Sequence, residues 1–200
     1  MHRRNPTLKA AAISAFIGTA ALTSPALHAD PFDGFFAPGD NGEASIAPVE
    51  SLFLTIYEAA DGTSEGYARA LTEAINYRVA AMQIFGDDWF KIDRALRNDF
   101  LEVFPSAIQD YLESLAITDF HIESITPTER DTEFDASGEL VTDATQDPLP
   151  VTWTVRVRGP EARIIRAETA DATLLLPEHA RQQVADNPTD LEDIMGGLGY

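Results

Sequence analysis

The residues best suited by type to catalysis are few. Of the four histidines, His2 and His28 fall in an N-terminal stretch that reads as a leader, leaving His121 and His179. Neither has a partner at metal-ligand spacing, and with no cysteine in the chain a thiolate site is excluded. Asp87-Asp88, just ahead of Trp89, has the chemistry of an acid–base pair. Placed before a helix, it is read instead as a cap that complements the helix dipole. Asp40-Asn41-Gly42-Glu43 lacks the alternating ligands of a calcium loop and is read as a turn. There is no nucleophile elbow, phosphate loop, HExxH or dinucleotide fingerprint, so the chain is expected to be no enzyme and to need no metal or cofactor.

What recurs instead is large apolar surface. Phe85, Trp89, Phe90, Phe100, Phe104 and Tyr111 crowd one stretch, and Trp153 comes from elsewhere in the chain. Such residues make an ordinary core or a wall for acyl chains, and periodicity does not separate the two.

The elements that must position them follow from spacing. Ile92, Leu96, Phe100, Val103/Phe104, Ile108, Tyr111/Leu112 and Leu115 recur at helical intervals, with Pro105 inside the pattern predicting a kink near Phe104 or two abutting helices. Ahead of it, Pro48 opens a helix with Leu52, Phe53, Ile56 and Tyr57 on one face, ended by Asp61-Gly62. Ser64 caps a second, in which Tyr67, Leu71, Ile75, Val79 and Met82 share a face until Gly86. Beyond Leu115 the period shortens to two. Phe120 and Ile122 alternate with polar residues, and Thr132–Thr142 is a weaker strand interrupted at Ser137-Gly138. Leu149–Arg158 sets Val151, Trp153, Val155 and Val157 on one face, and β-rich residues run from Ala162 to Leu176. Pro177 then begins a short helix, and Thr189 with Glu192 forms a capping box for a last one. Helices, a block of strands, then helices predict an α+β fold with an antiparallel sheet.

The ends and the charge bound the rest. His2, Arg3, Arg4 and Lys9 precede a small-residue apolar run from Ala10 to Leu22, which predicts a secretory signal peptide over 1–29, cleaved after Ala29. About 13 apolar residues are short for a membrane span of ~20. An irregular arm over 30–47 and one domain over 48–200 follow. Cleavage takes three cations and no acid, moving the net charge from −19 to −22. Such a surface disfavours nucleic acid and lying flat on anionic lipid, and is read as adaptation to a saline environment with solubility as the benefit; the protein is expected to be a monomer.

FGDDWFKIDRALRNDFLEVFPSAIQDYLESL, with Gly86, Trp89, Phe90, Lys91, Arg97, Phe100, Phe104 and Tyr111, resembles a stretch of the MlaC-like family. These are periplasmic phospholipid-binding proteins, also called toluene-tolerance or ABC-transporter auxiliary proteins. LPVTWTVRV and Pro188–Leu198 resemble the family's strand of alternating apolar residues and its terminal helix. The region GPEARIIRAETADATLLL departs from the family's Gly-Trp and Gly-Val-Ser segments. The resemblance implies helices over a curved antiparallel sheet of about four strands, a cone like nuclear transport factor 2 with additional helices. It also implies a periplasmic carrier that holds diacyl phospholipid in an apolar cavity and maintains outer-membrane lipid asymmetry. The partners implied are an inner-membrane ABC transporter complex and an outer-membrane lipoprotein complex. The expected lining is Phe85, Trp89, Phe100, Phe104, Ile108, Tyr111, Trp153 and Val155. Two other readings stand beside this one, namely an exported non-catalytic scaffold with a filled core and a paralogue for hopanoid or another lipid.

Overall fold

Alternation in the strands organises the molecule. A computed structural model describes residues 45–143, 147–170 and 172–200; the expected signal peptide, nearly all of the N-terminal arm and the Asp40–Glu43 turn lie outside them. β1 (Ile117–Pro127), β2 (Glu133–Thr142), β3 (Leu149–Arg158) and β4 (Glu161–Glu168) form an antiparallel sheet in sequence order. In its register Phe134 faces Val155, which faces Ile164, and Ala136 faces Trp153, which faces Ala167. All six are buried. The small alanines on either side leave room for the indole of Trp153, as close packing requires.

The opposite face of the same strands is polar. Asp135, Thr154 and Arg166 are in register across it, as are Glu133, Arg156 and Arg163. Arg156 donates to Glu133 Oε1 from Nε at 3.0 Å and from a terminal amino group at 2.6 Å, and Arg130 donates to the same oxygen at 3.2 Å. Burial by itself raises the Glu133 carboxyl's pKa. The hydrogen bonds and charges of Arg156 and Arg130 outweigh that and hold it below the usual carboxylate range.

Six helices accompany the sheet among the described residues: α1 (Ala47–Ala59), α2 (Ser64–Ala74), α3 (Tyr77–Phe85), α4 (Arg94–Ser114), α5 (Glu178–Asp186) and α6 (Leu191–Gly197). α1 packs on β3 and β4, α2 on β1, and α3 on β4, while α4 lies against α2, α3 and α6. Phe53 of α1 reaches Trp153 and Phe120 at ring distances of 6.5 and 6.1 Å, tying helix to sheet. The expected α+β fold, helices on a four-stranded antiparallel sheet, is the fold found. No helix of the described residues is long and apolar enough to cross a membrane.

Several local expectations change. The single helix from Ser64 to Met82 is two, because Ile75 leaves the helix with ψ 139° and bridges Ile164 on the edge of β4. Asn76 N–H donates to the Ile164 carbonyl at 2.8 Å while its side chain caps α3. Edge pairing, a non-local event, outweighs the helical periodicity. Thr63 rather than Ser64 caps α2, and Asp190 rather than Thr189 caps α6. Asp87 and Asp88 fall in a 3-10 turn, Gly86–Phe90, and it is Asp93 that caps α4, accepting from Ala95 N–H at 2.7 Å. Gly138 interrupts nothing in β2. A side chain there would meet the His121 carbonyl at 1.9 Å, so the close approach of β1 requires glycine. Pro105 lies inside one continuous 21-residue helix rather than between two. The β-rich run after Ala162 gives β4 only as far as Glu168.

Candidate lipid-binding site

The expected lining residues divide sharply once placed. Phe85, Trp89, Phe100, Phe104, Ile108, Trp153 and Val155 are all no more than 4% exposed. The five aromatics nearest α4 fill one another's space. Phe100 meets Phe104 at 4.6 Å, Phe85 meets Phe100 at 5.4 Å and Trp89 at 5.5 Å, and Tyr77 meets Phe104 edge-on at 5.7 Å. Arg97 covers Trp89 from outside, 5.8 Å above the ring. Tyr111 is different. It is half-buried, and it borders a sizeable cavity.

That cavity, about 830 Å³, lies between α3, the last turn of α4, the edge of β4 and α5. Its apolar wall comes from Ile84, Tyr111, Leu115, Leu149, Ile165 and Val184, joined by Leu174, Leu175 and Leu176. Ile84, Tyr111, Leu115, Leu149 and Val184 are only half-buried, so this wall keeps apolar surface open that the core does not cover. The volume lies within the ~300–1,000 Å³ usual for small-molecule sites.

Local structure explains how the wall is built. β4 carries a bulge: Val155 pairs with Ile164 and Thr154 with Arg166, leaving Ile165 unpaired between them. A bulge turns a side chain out of the strict alternation, here giving a buried Ile165 and its neighbour Arg166 a common border on the cavity. The segment after β4 is pinned back onto it. Leu174 N–H and the Thr173 hydroxyl both donate to the Ala167 carbonyl, at 2.7 and 3.2 Å. Arg181 of α5 donates to the Thr173 carbonyl at 2.8 Å and pairs with Glu178, closing the α5 side.

Polar groups sit beside this wall, among them Gln83, Arg166, Glu168, Glu178, Arg181 and Gln182. The cavity thus sets an apolar wall against a charged rim, the arrangement that a ligand with an apolar and a polar part requires. Among the described residues, no group of three His, Asp or Glu side chains is placed to hold a metal ion. His121 is near Asp119, 3.5 Å away, and His179 bonds the Gly197 carbonyl.

Most of this wall is absent from the sequence-based lining. Two signals for it are present in the sequence: the Ile164-Ile165 doublet, which breaks an otherwise alternating strand, and the run Leu174-Leu175-Leu176, which reads as strand but serves as a lining segment.

The class that fold and site define is an α+β domain with a helix-covered antiparallel sheet and an apolar groove at the sheet's edge. In structure the chain is similar to the phospholipid-binding protein from Ralstonia solanacearum, solved in complex with a phospholipid. The TM-score is 0.50 and the sequence identity 13%, over 77% of this chain and 98% of that one. The likeness is one of fold. No protein-family model matches the chain, and no curated protein matches it in sequence.

Proposed function

We propose that the protein is a non-catalytic lipid carrier that shields the acyl chains of a phospholipid in the groove between α3, α4, β4 and α5. The observation that carries this reading is the half-buried apolar wall of the roughly 830 Å³ cavity. The fold is shared with a protein that binds phospholipid, which supports it further. The physical need is large. At ~0.8 kcal/mol per methylene, two long acyl chains left in water cost about 20 kcal/mol or more, so a soluble carrier must bury them. The leader-like N-terminus supports an exported, periplasmic address. Within that compartment the carrier passes lipid between inner-membrane ABC transporter and outer-membrane lipoprotein complexes, as the resemblance to MlaC-like proteins suggests.

The closed packing of Phe85, Trp89, Phe100 and Phe104 favours a second reading, an exported interaction domain with a filled core. One measurement separates the two. The protein purified from a Gram-negative periplasm is extracted and weighed by native mass spectrometry. Near-stoichiometric diacyl lipid supports the carrier. Lipid-free protein that also fails to take up lipid from vesicles rejects it. Processing at Ala29 and recovery in the periplasmic fraction test the address.

A further inference from the structure

Arg166 borders the apolar groove and also two smaller cavities on the polar face of the sheet. The first of these, about 260 Å³, lies among the carboxylates of Glu129, Glu133 and Asp135 with Gln83, Arg130 and Thr154, and shares Ile165 with the groove. The bulge at Ile165 sets an apolar floor and a cation side by side in the chain. The guanidinium is held from behind. Its Nε donates to the Thr154 hydroxyl at 3.1 Å, and that buried hydroxyl donates onward to Asp135 at 2.7 Å. Its link to Glu168 is loose, 3.7 Å from Nε, and the terminal amino groups have no hydrogen-bond partner among the described residues. A side chain oriented through one nitrogen, with its other donors unspent and 41% of its surface open, is prepared for an anion.

We propose that Arg166 anchors the phosphate of an amphiphile whose chains occupy the groove, with the rest of its headgroup lodged in the polar pocket beside Arg130 and Thr154. The inference rests on the lipid reading and adds a chemical requirement to it: the ligand carries phosphate at the junction of chains and headgroup. In a chain of net charge −19, an anionic group is repelled by most of the surface. A positioned guanidinium on the border between the groove and the polar pocket therefore sets where the headgroup sits.

The test titrates the lipid-free full chain with three ligands: a short-chain phosphatidic acid, the diacylglycerol with the same chains, and glycerol phosphate. Each is measured with the natural protein and with Arg166→Gln, Arg166→Lys and, as a charge control far from the groove, Arg158→Gln. Thermal unfolding confirms that each variant folds. Phosphatidic acid should bind about ten- to a hundredfold more tightly than diacylglycerol, the effect of a hydrogen bond to a charged group. Arg166→Gln should remove that preference while leaving diacylglycerol binding in place, Arg166→Lys should retain part of it, and Arg158→Gln should retain it all. Equal binding of both lipids, or a preference that survives Arg166→Gln, overturns the anchor and leaves the carrier standing. Glycerol phosphate binding as tightly as the lipid makes this a site for a small free anion and overturns the proposal. Binding of none of the three overturns the carrier reading and the anchor with it.

Discussion

Phe100 and Phe104, one turn apart on α4, lie with their ring centroids 4.6 Å apart and their planes 32° from each other. Both are fully buried. Phe85 and Trp89 close over Phe100, and Tyr77 closes over Phe104, so the middle of α4 faces protein. The surface of the helix that borders the groove is its last turn, where Tyr111 and Leu115 reach the cavity. One helix thus serves two purposes at different heights: it locks the core in its middle and lines the groove at its end.

The lock predicts a loss of stability. Phe104→Ala removes a fully buried ring that touches Phe100 and Tyr77 and leaves a cavity in the core. The expected cost is about 3–5 kcal/mol, read as a lower denaturant midpoint with unchanged slope. Any lipid lost by this variant at a temperature where it remains folded should be small, because Phe104 does not border the groove.

The groove predicts the converse. Ala185 is exposed on α5 and lines the cavity, so Ala185→Trp places an indole where chains would lie without disturbing the core. Stability should change by no more than about 0.5–1 kcal/mol. Lipid uptake should fall by at least about tenfold, ~1.4 kcal/mol, in a vesicle-transfer or native mass spectrometry assay. Unaltered uptake by a folded Ala185→Trp would place the lipid somewhere else.

This division explains what was legible in the sequence. Period-two spacing in Val151–Val157 was enough to give the buried face of β3, and helical spacing gave α4, since both patterns are local consequences of one side being apolar. The groove is not local. Ile165 enters it through a bulge, the break at Ile75 depends on an edge strand far along the chain, and Leu174–Leu176 reaches it through bonds to Ala167. Aromatic density pointed to a closed part of the core. An open binding wall is made of residues only half covered, and residue type alone does not report coverage.

Acid should weaken the outer face of the sheet. The Glu133 carboxyl titrates below its ordinary value of 4.5 in the folded protein. Its stabilisation is therefore fully present above the unfolded-state pKa and is lost as pH falls through the lower folded-state value. Glu133→Gln should cost about 1.5–3 kcal/mol near neutral pH and flatten the part of the stability–pH curve below about pH 4.5. Urea midpoints measured across that range for both proteins check the sign. A variant whose curve runs parallel to the natural one would remove Glu133 from the account.

Pro105 offers the last test, and its sign is opposite. Within α4 it carries no N–H, so the Leu101 carbonyl one turn back lacks its helical partner, and the ring crowds that same turn. Proline in a helix interior costs about 3 kcal/mol relative to alanine. Replacing it also frees the unfolded chain, which returns about 0.4–1 kcal/mol to the unfolded side. Pro105→Ala should then raise stability by about 2 kcal/mol, seen as a higher denaturant midpoint. The residue is only half-buried, so little packing is lost with the ring. Lipid uptake distinguishes why the proline is tolerated. If uptake is unchanged in the more stable variant, Pro105 is a local cost carried by an otherwise well-packed helix. If uptake falls as stability rises, the missing hydrogen bond sets the position of the last turn, and with it the wall formed by Tyr111 and Leu115.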